Sequence, residues 1–188
     1  KKIILFPGRL TSWKGQEMFL EAISKLKVNE PQKKFIAVLL GSDQGRKIYK
    51  KKLQSLVEQH RLINDVIFID NLKLMPLAYK ISYVVVSSSI KPETFGRVSA
   101  EAQSMEKPII ASNIGGSKET IINGKTGYLF KNKDPKALAD SIIMVMQKDY
   151  NSLKSIGLEG RKNVLKRFDV DKMCQTTFTE YKKLIGMS

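Results

Sequence analysis

Six short runs of uninterrupted apolar residues, each followed by a loop and then by helical periodicity, constrain this chain more than any other feature. The runs are Lys2–Pro7 (KIILFP), Phe35–Leu40 (FIAVLL), Val66–Ile69 (VIFI), 83–86 (YVVV), 108–111 (PIIA) and Tyr128–Phe130 (YLF). A strand with one wet face alternates apolar and polar residues; these do not, so both of their faces must be covered. The intervening segments supply the cover. A helix from about Gln16 puts Met18, Phe19, Ala22, Ile23 and Leu26 on one side, and one ending near Gln59 turns Leu53, Leu56 and Val57 inward. Shorter helical pieces fall at 75–79 and 117–121, a helix opening near Gly96 buries Val98, Ala102 and Met105, and one from Asp134 buries Leu138, Ile142 and Val145. Segments 151–167 and 170–185 complete the chain. This alternation predicts an α/β fold of three layers, a mostly parallel six-stranded sheet between helices, with extra helices at the C-terminus. The 188 residues suit a single domain, and a 42% hydrophobic share is enough for a packed core. In such a sheet the loops after the strands gather at one edge, where ligands bind. Here they are 8–15, 41–45, 70–72, 87–96 and 112–117.

The stretch 87–104, SSSIKPETFGRVSAEAQS, is the richest of these in chemistry. A buried strand runs into a loop, and the loop into a helix whose first turn carries little bulk. The first amides of a helix have no intrahelical partner, and the macrodipole adds partial positive charge, so the arrangement suits an anion. Glu93 and Glu101 flank it. They suit hydroxyl groups and would repel phosphate, so a ligand carrying both phosphate and sugar would use the whole stretch.

Composition narrows the partners. Thirty-three Lys and Arg against 18 Asp and Glu give a net charge of +15, which favours anionic partners: a phosphorylated small molecule, an anionic membrane surface or nucleic acid. The chain is rich in Lys, Ile and Asn throughout, so the total is read mainly as compositional bias and function is sought in particular cations. The basic residues Arg46, Lys47, Lys50 and Lys51 recur at i,i+4 and form one helix stripe, read as a solvated face, with contact to a membrane surface as the minority reading. Nucleic acid is disfavoured, because no reading motif or stacking platform accompanies the charge. The single cysteine, Cys174, excludes an internal disulfide and points to a reducing, cytoplasmic setting. The lone histidine, His60, leaves no partner of its kind for a metal or an acid–base pair. No run approaches the ~20 apolar residues that span a bilayer. An opening on Lys1 that is core strand by Ile3 leaves no signal peptide and reads as the cut edge of a longer protein.

Four motifs, in order, resemble one known family. They are Gly8-Arg9-Leu10 with Lys14-Gly15 four residues on; Pro92-Glu93-Thr94-Phe95-Gly96; Glu93 and Glu101 with seven residues between them; and Gly115-Gly116 with Glu119, followed by Asn123-Gly124-Lys125-Thr126-Gly127. The chain resembles the C-terminal, donor-binding domain of a family 4 (group 1) retaining glycosyltransferase of the GT-B type, in which two Rossmann-like domains face each other. The resemblance implies hexosyl transfer with retention from a nucleotide-diphosphate sugar, UDP- or GDP-linked, to a glycan or lipid-linked acceptor held by an N-terminal domain absent from this sequence. Surface-polysaccharide or lipopolysaccharide assembly would be its setting, in the cytoplasm or against the inner face of the cell membrane. It implies no tightly bound cofactor and an inactive isolated fragment.

Residue by residue, the resemblance makes Arg9 and Lys14 the cations on the donor diphosphate. It makes Glu93 the group on the donor sugar's hydroxyls, with a catalytic part argued for it, and Glu101 the acceptor for the ribose diol. Thr94, Phe95, Gly96, Arg97 and Val98 would offer backbone amides to the phosphates. Gly8 and Gly41 would let the backbone pass close to the nucleotide, and Asn71 with Leu72 would read the base through the main chain. Asp70 stands where the family often has Gly, so base preference does not carry over. An Asp-X-Asp motif is read as absent, which fits a transferase working without a bound divalent cation. Simpler roles compete: Arg97 and Glu101, four apart, suit an ordinary helix-face ion pair, and Lys14 could be one more solvated lysine. The alternatives for the whole are a nucleotide-sugar-binding module or a sugar-nucleotide epimerase without transfer activity.

Overall fold

The computed structural model describes residues 1–186. Six strands, β1 (Lys2–Pro7), β2 (Phe35–Leu40), β3 (Val66–Ile69), β4 (Val84–Ser87), β5 (Ile109–Ser112) and β6 (Tyr128–Phe130), form one sheet in the order β3-β2-β1-β4-β5-β6. Every pairing is parallel. The helices are α1 (Gln16–Asn29), α2 (Lys47–Gln59), α3 (Met75–Ile81), α4 (Arg97–Ser104), α5 (Ser117–Thr120), α6 (Pro135–Gln147), α7 (Tyr150–Arg167) and α8 (Val170–Leu184). The expected Rossmann-like α/β domain is what the chain forms. The strand order reverses between β1 and β4, and the crevice at that reversal is where a ligand fits in open α/β sheets.

The uninterrupted apolar runs follow from two cores, one on each face of the sheet. Ile4, Phe6, Ala37, Leu39, Val84 and Val86 point to one face and pack on Phe19 and Ile23 of α1, Leu53 of α2 and Leu138 and Ile142 of α6. Their neighbours Leu5, Val38, Val85, Ile109 and Ala111 point to the other, against Ala78 and Tyr79 of α3 and Ala102 of α4. A fully buried side chain of this size is worth about 1.5–3 kcal/mol, so both layers hold the sheet.

Two details depart from the expectation. The fourth and fifth strands start and end one residue later than the apolar runs suggest, because Ser87 pairs with Ala111 and continues the ladder. The serine that ends β4 and the two that follow it are interior: Ser87, Ser88 and Ser89 are 7%, 0% and 5% exposed. Elsewhere, α7 packs on the region of α4 through two glycines. A Cβ on Gly157 would stand 2.2 Å from the Glu106 carbonyl oxygen. Beside this contact the Asn163 amide donates to Gln103 Oε1 and to the Thr120 carbonyl, 3.0 Å each, while Gln103 Nε2 donates to the Ser99 and Thr120 carbonyls. This buried polar cluster fixes α4 against α5 and α7. Helix α8 differs from the rest. None of its residues is buried.

Candidate functional site

The loops after β1, β2, β3 and β4 enclose a cavity of about 780 Å³ at the C-terminal edge of the sheet. Gly8, Arg9 and Lys14 reach it from the first loop, Gly41 from the second, Asn71 from the third, and Glu93, Thr94, Phe95, Gly96, Arg97, Val98 and Glu101 from the fourth. Of the residues that the resemblance gives a binding or catalytic role, only Leu72 does not line it. The strand topology thus gathers residues as far apart in the chain as Pro7 and Glu101.

The first loop is held in place from below. Gly15 sits at φ 80°, and a Cβ there would stand 2.0 Å from the Ser88 carbonyl oxygen, so only glycine fits. Ser88 Oγ donates to the Gly15 carbonyl at 3.0 Å, the Ile90 amide donates to the Trp13 carbonyl at 2.8 Å, and the buried Gln16 amide donates to the Arg9 carbonyl at 2.8 Å. These contacts carry Lys14 to Glu93. Lys14 Nζ lies 2.8 Å from Glu93 Oε2, with the two side chains only 12% and 16% exposed. Ser89 donates its hydroxyl to the other Glu93 oxygen. Lys14 Nζ also sits 4.6 Å from the Trp13 ring centroid, a cation–π distance. Lys14 is therefore a built-in part of the cavity rather than a solvated lysine. Arg9 stays exposed at the rim, with its guanidinium on Gln44 Oε1 at 3.5 Å.

The loop carrying Glu93 lies on Gly115-Gly116. The Gly116 amide donates to the Glu93 carbonyl at 2.8 Å, and a Cβ on Gly116 would stand 2.5 Å from the Phe95 carbonyl carbon. Gly96 precedes α4 at φ 75°, with no side-chain cap and no acidic residue in the first turn. The Arg97 and Val98 amides are left without partners among the described residues, open to an anion.

Glu101 has two protein partners. Arg97 reaches Oε1 at 3.0 Å, the helix-face pair the spacing suggested. Tyr79, which the sequence reading missed, donates its hydroxyl to Oε2 at 2.6 Å. Burial, reinforced by that hydrogen bond, raises the Tyr79 pKa far above the ordinary phenol value, so it remains a neutral donor. The carboxylate, about a third exposed, keeps lone pairs for a diol. Gly41 is explained by the protein itself: a Cβ there would stand 2.2 Å from the Gly8 carbonyl oxygen, so its small size serves the contact between the first two loops. Asp70 binds Lys50 at 2.7 Å, and that hydrogen bond raises the lysine's pKa. Asp70 is thereby turned toward α2.

Contrary to the expectation that the motif is absent, one Asp-X-Asp triplet occurs, Asp169-Val170-Asp171, at the start of α8. There Asp169 accepts from the Asp171 and Lys172 amides as a helix cap. No group of three or more His, Cys, Asp or Glu able to hold a metal occurs among the described residues.

A cavity with one carboxylate locked to a lysine, another braced by a tyrosine, an arginine at the rim and free helix amides between them can accommodate a molecule bearing both phosphates and hydroxyls. Fold and cavity together define a Rossmann-like α/β domain with a polar cavity at the C-terminal edge of its sheet. The chain belongs to the glycosyl transferases group 1 family, whose model matches residues 1–163. It is 31% identical over 190 residues to spore coat protein SA of Bacillus subtilis, which covers 97% of this chain and 49% of that protein. Among solved structures, a glycosyltransferase from Rickettsia africae superposes over all of this chain and 48% of its own, with a TM-score of 0.93 and 33% identity. Anabaena HepE, solved with UDP-glucose, superposes over 96% of this chain and 48% of its own, with a TM-score of 0.88 and 27% identity. The chain thus spans about half the length of each of these proteins. No described helix is long and apolar enough to cross a membrane.

Proposed function

We propose that residues 1–188 are the single nucleotide-sugar-binding domain of a GT-B glycosyltransferase that transfers a hexose with retention to a glycan or lipid-linked acceptor. The acceptor would be held by a preceding domain, across the cleft that this cavity faces. The observation that carries the reading is the meeting of Lys14, Arg9, Glu93 and Glu101 in one cavity. Family membership and the UDP-glucose bound by the Anabaena protein support a UDP-sugar donor, with a GDP-sugar as the alternative.

Each residue then has a physical task. Negative charge grows on the diphosphate as the glycosidic bond breaks, and a cation at ~4 Å from it contributes up to ~4 kcal/mol at an effective dielectric near 20. A helix N-terminus contributes only about 0.3–1 kcal/mol. Lys14 and Arg9 therefore dominate leaving-group stabilisation, and the α4 amides orient the phosphates. Glu93 holds the sugar hydroxyls and Glu101 the ribose. Donor entry exchanges the Lys14–Glu93 contact for Lys14–phosphate and Glu93–hydroxyl contacts, so neither charge is left bare.

A thermal-shift panel of UDP-, GDP-, ADP- and CMP-sugars tests the donor, because a ligand bound by the folded state stabilises it by RT ln(1 + [L]/Kd). Transfer of labelled sugar by the full-length protein tests the reaction. Binding without transfer to any acceptor would favour a binding module or an epimerase instead.

A further inference from the structure

The Lys14 ammonium ends a flexible four-carbon stem, which has much rotamer freedom to lose. Its residue closes the short 3₁₀ turn Ser12–Lys14. Successive side chains of such a turn leave its axis about 120° apart, so neighbours ordinarily diverge. Lys14 and Trp13 converge instead, with Lys14 Nζ 4.6 Å from the Trp13 ring centroid. The stem gets there across Gly8, where a Cβ would stand 3.8 Å from Lys14 Cδ. Trp13 lines the same cavity as Lys14 and Glu93.

The turn that carries the ring is anchored through its main chain. The Ile90 amide donates to the Trp13 carbonyl at 2.8 Å, and the Lys14 amide to the Thr11 carbonyl at 3.0 Å. The first of these bonds ties the turn to the loop that bears Glu93. Neither involves the Lys14 side chain, so the root of the ring stays put whatever the ammonium does.

The two partners of the ammonium differ in what a donor would do to them. The contact with Glu93, at 2.8 Å, is the one that donor entry would exchange for phosphate. The ring attracts the charge through its quadrupole, whichever oxygen the ammonium faces. Such a contact strengthens where water is kept away, and the Lys14 side chain is only 12% exposed. We propose that Trp13 is a positioning residue: its ring face holds the Lys14 ammonium at the donor diphosphate once Glu93 has turned to the sugar. The assignment rests on the donor reading above. It gives the ring a task through the charge of Lys14, with no stacking on base or sugar.

Trp13→Leu keeps apolar bulk and removes the quadrupole, while Trp13→Phe keeps a ring face. Calorimetry with UDP, and with uridine, which lacks the phosphates, separates the roles. Trp13→Leu should weaken UDP about five- to tenfold, Trp13→Phe should stay within about threefold of the parent, and uridine should bind all three alike. UDP carries no hexose, so the loss cannot come from a sugar contact. Urea unfolding of the parent, Trp13→Leu, Lys14→Ala and the double variant, followed by circular dichroism, reads the pair without ligand. There Trp13→Leu should cost less stability in the Lys14→Ala background than in the parent. Unchanged UDP binding in Trp13→Leu, uridine weakened as much as UDP, Trp13→Phe as poor as Trp13→Leu, or stability losses that simply add would each overturn the proposal. A parent that binds neither ligand yet shows the stability coupling would support the ring as the anchor of Lys14 and refute the donor reading.

Discussion

Replacing Lys14 by alanine leaves Glu93 with the Ser89 hydroxyl as its remaining side-chain partner. At 2.8 Å the lost attraction is about 6 kcal/mol at an effective dielectric of ~20. The net loss is smaller, because the pair gave up water to form. Removing one member of a fully buried pair costs about 3–5 kcal/mol, most of it the orphaned charge. Here the side chains retain 12% and 16% of their exposure, so water recovers part of that and about 2–3 kcal/mol is expected. For a chain of this size the change lowers Tm by roughly 4–12 °C. Glu93→Ala should cost a similar amount, and the double variant little more than either single one, giving a coupling energy of about 2 kcal/mol. Urea unfolding of the four proteins measures it. Single effects that add to within about 0.5 kcal/mol would refute the claim that the two charges depend on each other. Repeating the melts with UDP separates the roles: the nucleotide should raise Tm for the parent and have little effect on Lys14→Ala.

Other sites give independent checks. Tyr79→Phe removes the donor to Glu101 without altering its packing, and should weaken UDP binding about five- to tenfold by calorimetry while the circular dichroism spectrum stays unchanged. Asn163→Ala leaves Gln103 Oε1 unpaired in the interior and should cost about 2 kcal/mol, read as a Tm lowered by about 4–8 °C. The Lys107 pKa lies below its ordinary 10.5, from burial and then repulsion by Lys80, with Glu106 opposing. The folded state therefore binds the proton less tightly than the unfolded chain. The penalty is fully present below the folded pKa and fades as pH rises from there through 10.5. Lys107→Met should melt higher than the parent at pH 7 and lose that advantage as the solution is made alkaline past 10.5.

The sheet was legible because both of its faces are covered: residues such as Ile4 and Leu5 feed opposite cores, so periodicity had no polar position to confuse it. The cavity was legible for a related reason, since parallel topology sends every strand-end loop to one edge. What the sequence withheld were supports with ordinary local roles. Ser88 and Ser89 look like a loop boundary, and Tyr79 like one more apolar-face residue of a short helix. Their tasks, holding Gly15, Glu93 and Glu101, exist only once β4 lies beside β1. Gly41 lines the cavity, and that its small size also makes room for the loop after β1 is not written in its neighbours. The Gln103–Asn163 cluster joins α4 to α7 across 60 positions of chain, a separation at which pattern gives no signal.

Phe95 on the cavity rim stacks edge-on against Phe168, with ring centroids 5.2 Å apart, and Phe168 is the residue at which α7 gives way to α8. A 15-residue helix with nothing buried is marginal in water by itself. Its root, however, bears on the rim of the mouth. A truncation after Arg167 would remove Phe168 and leave Phe95, at the lip over the α4 amides, without its aromatic partner, although it deletes no residue that lines the mouth.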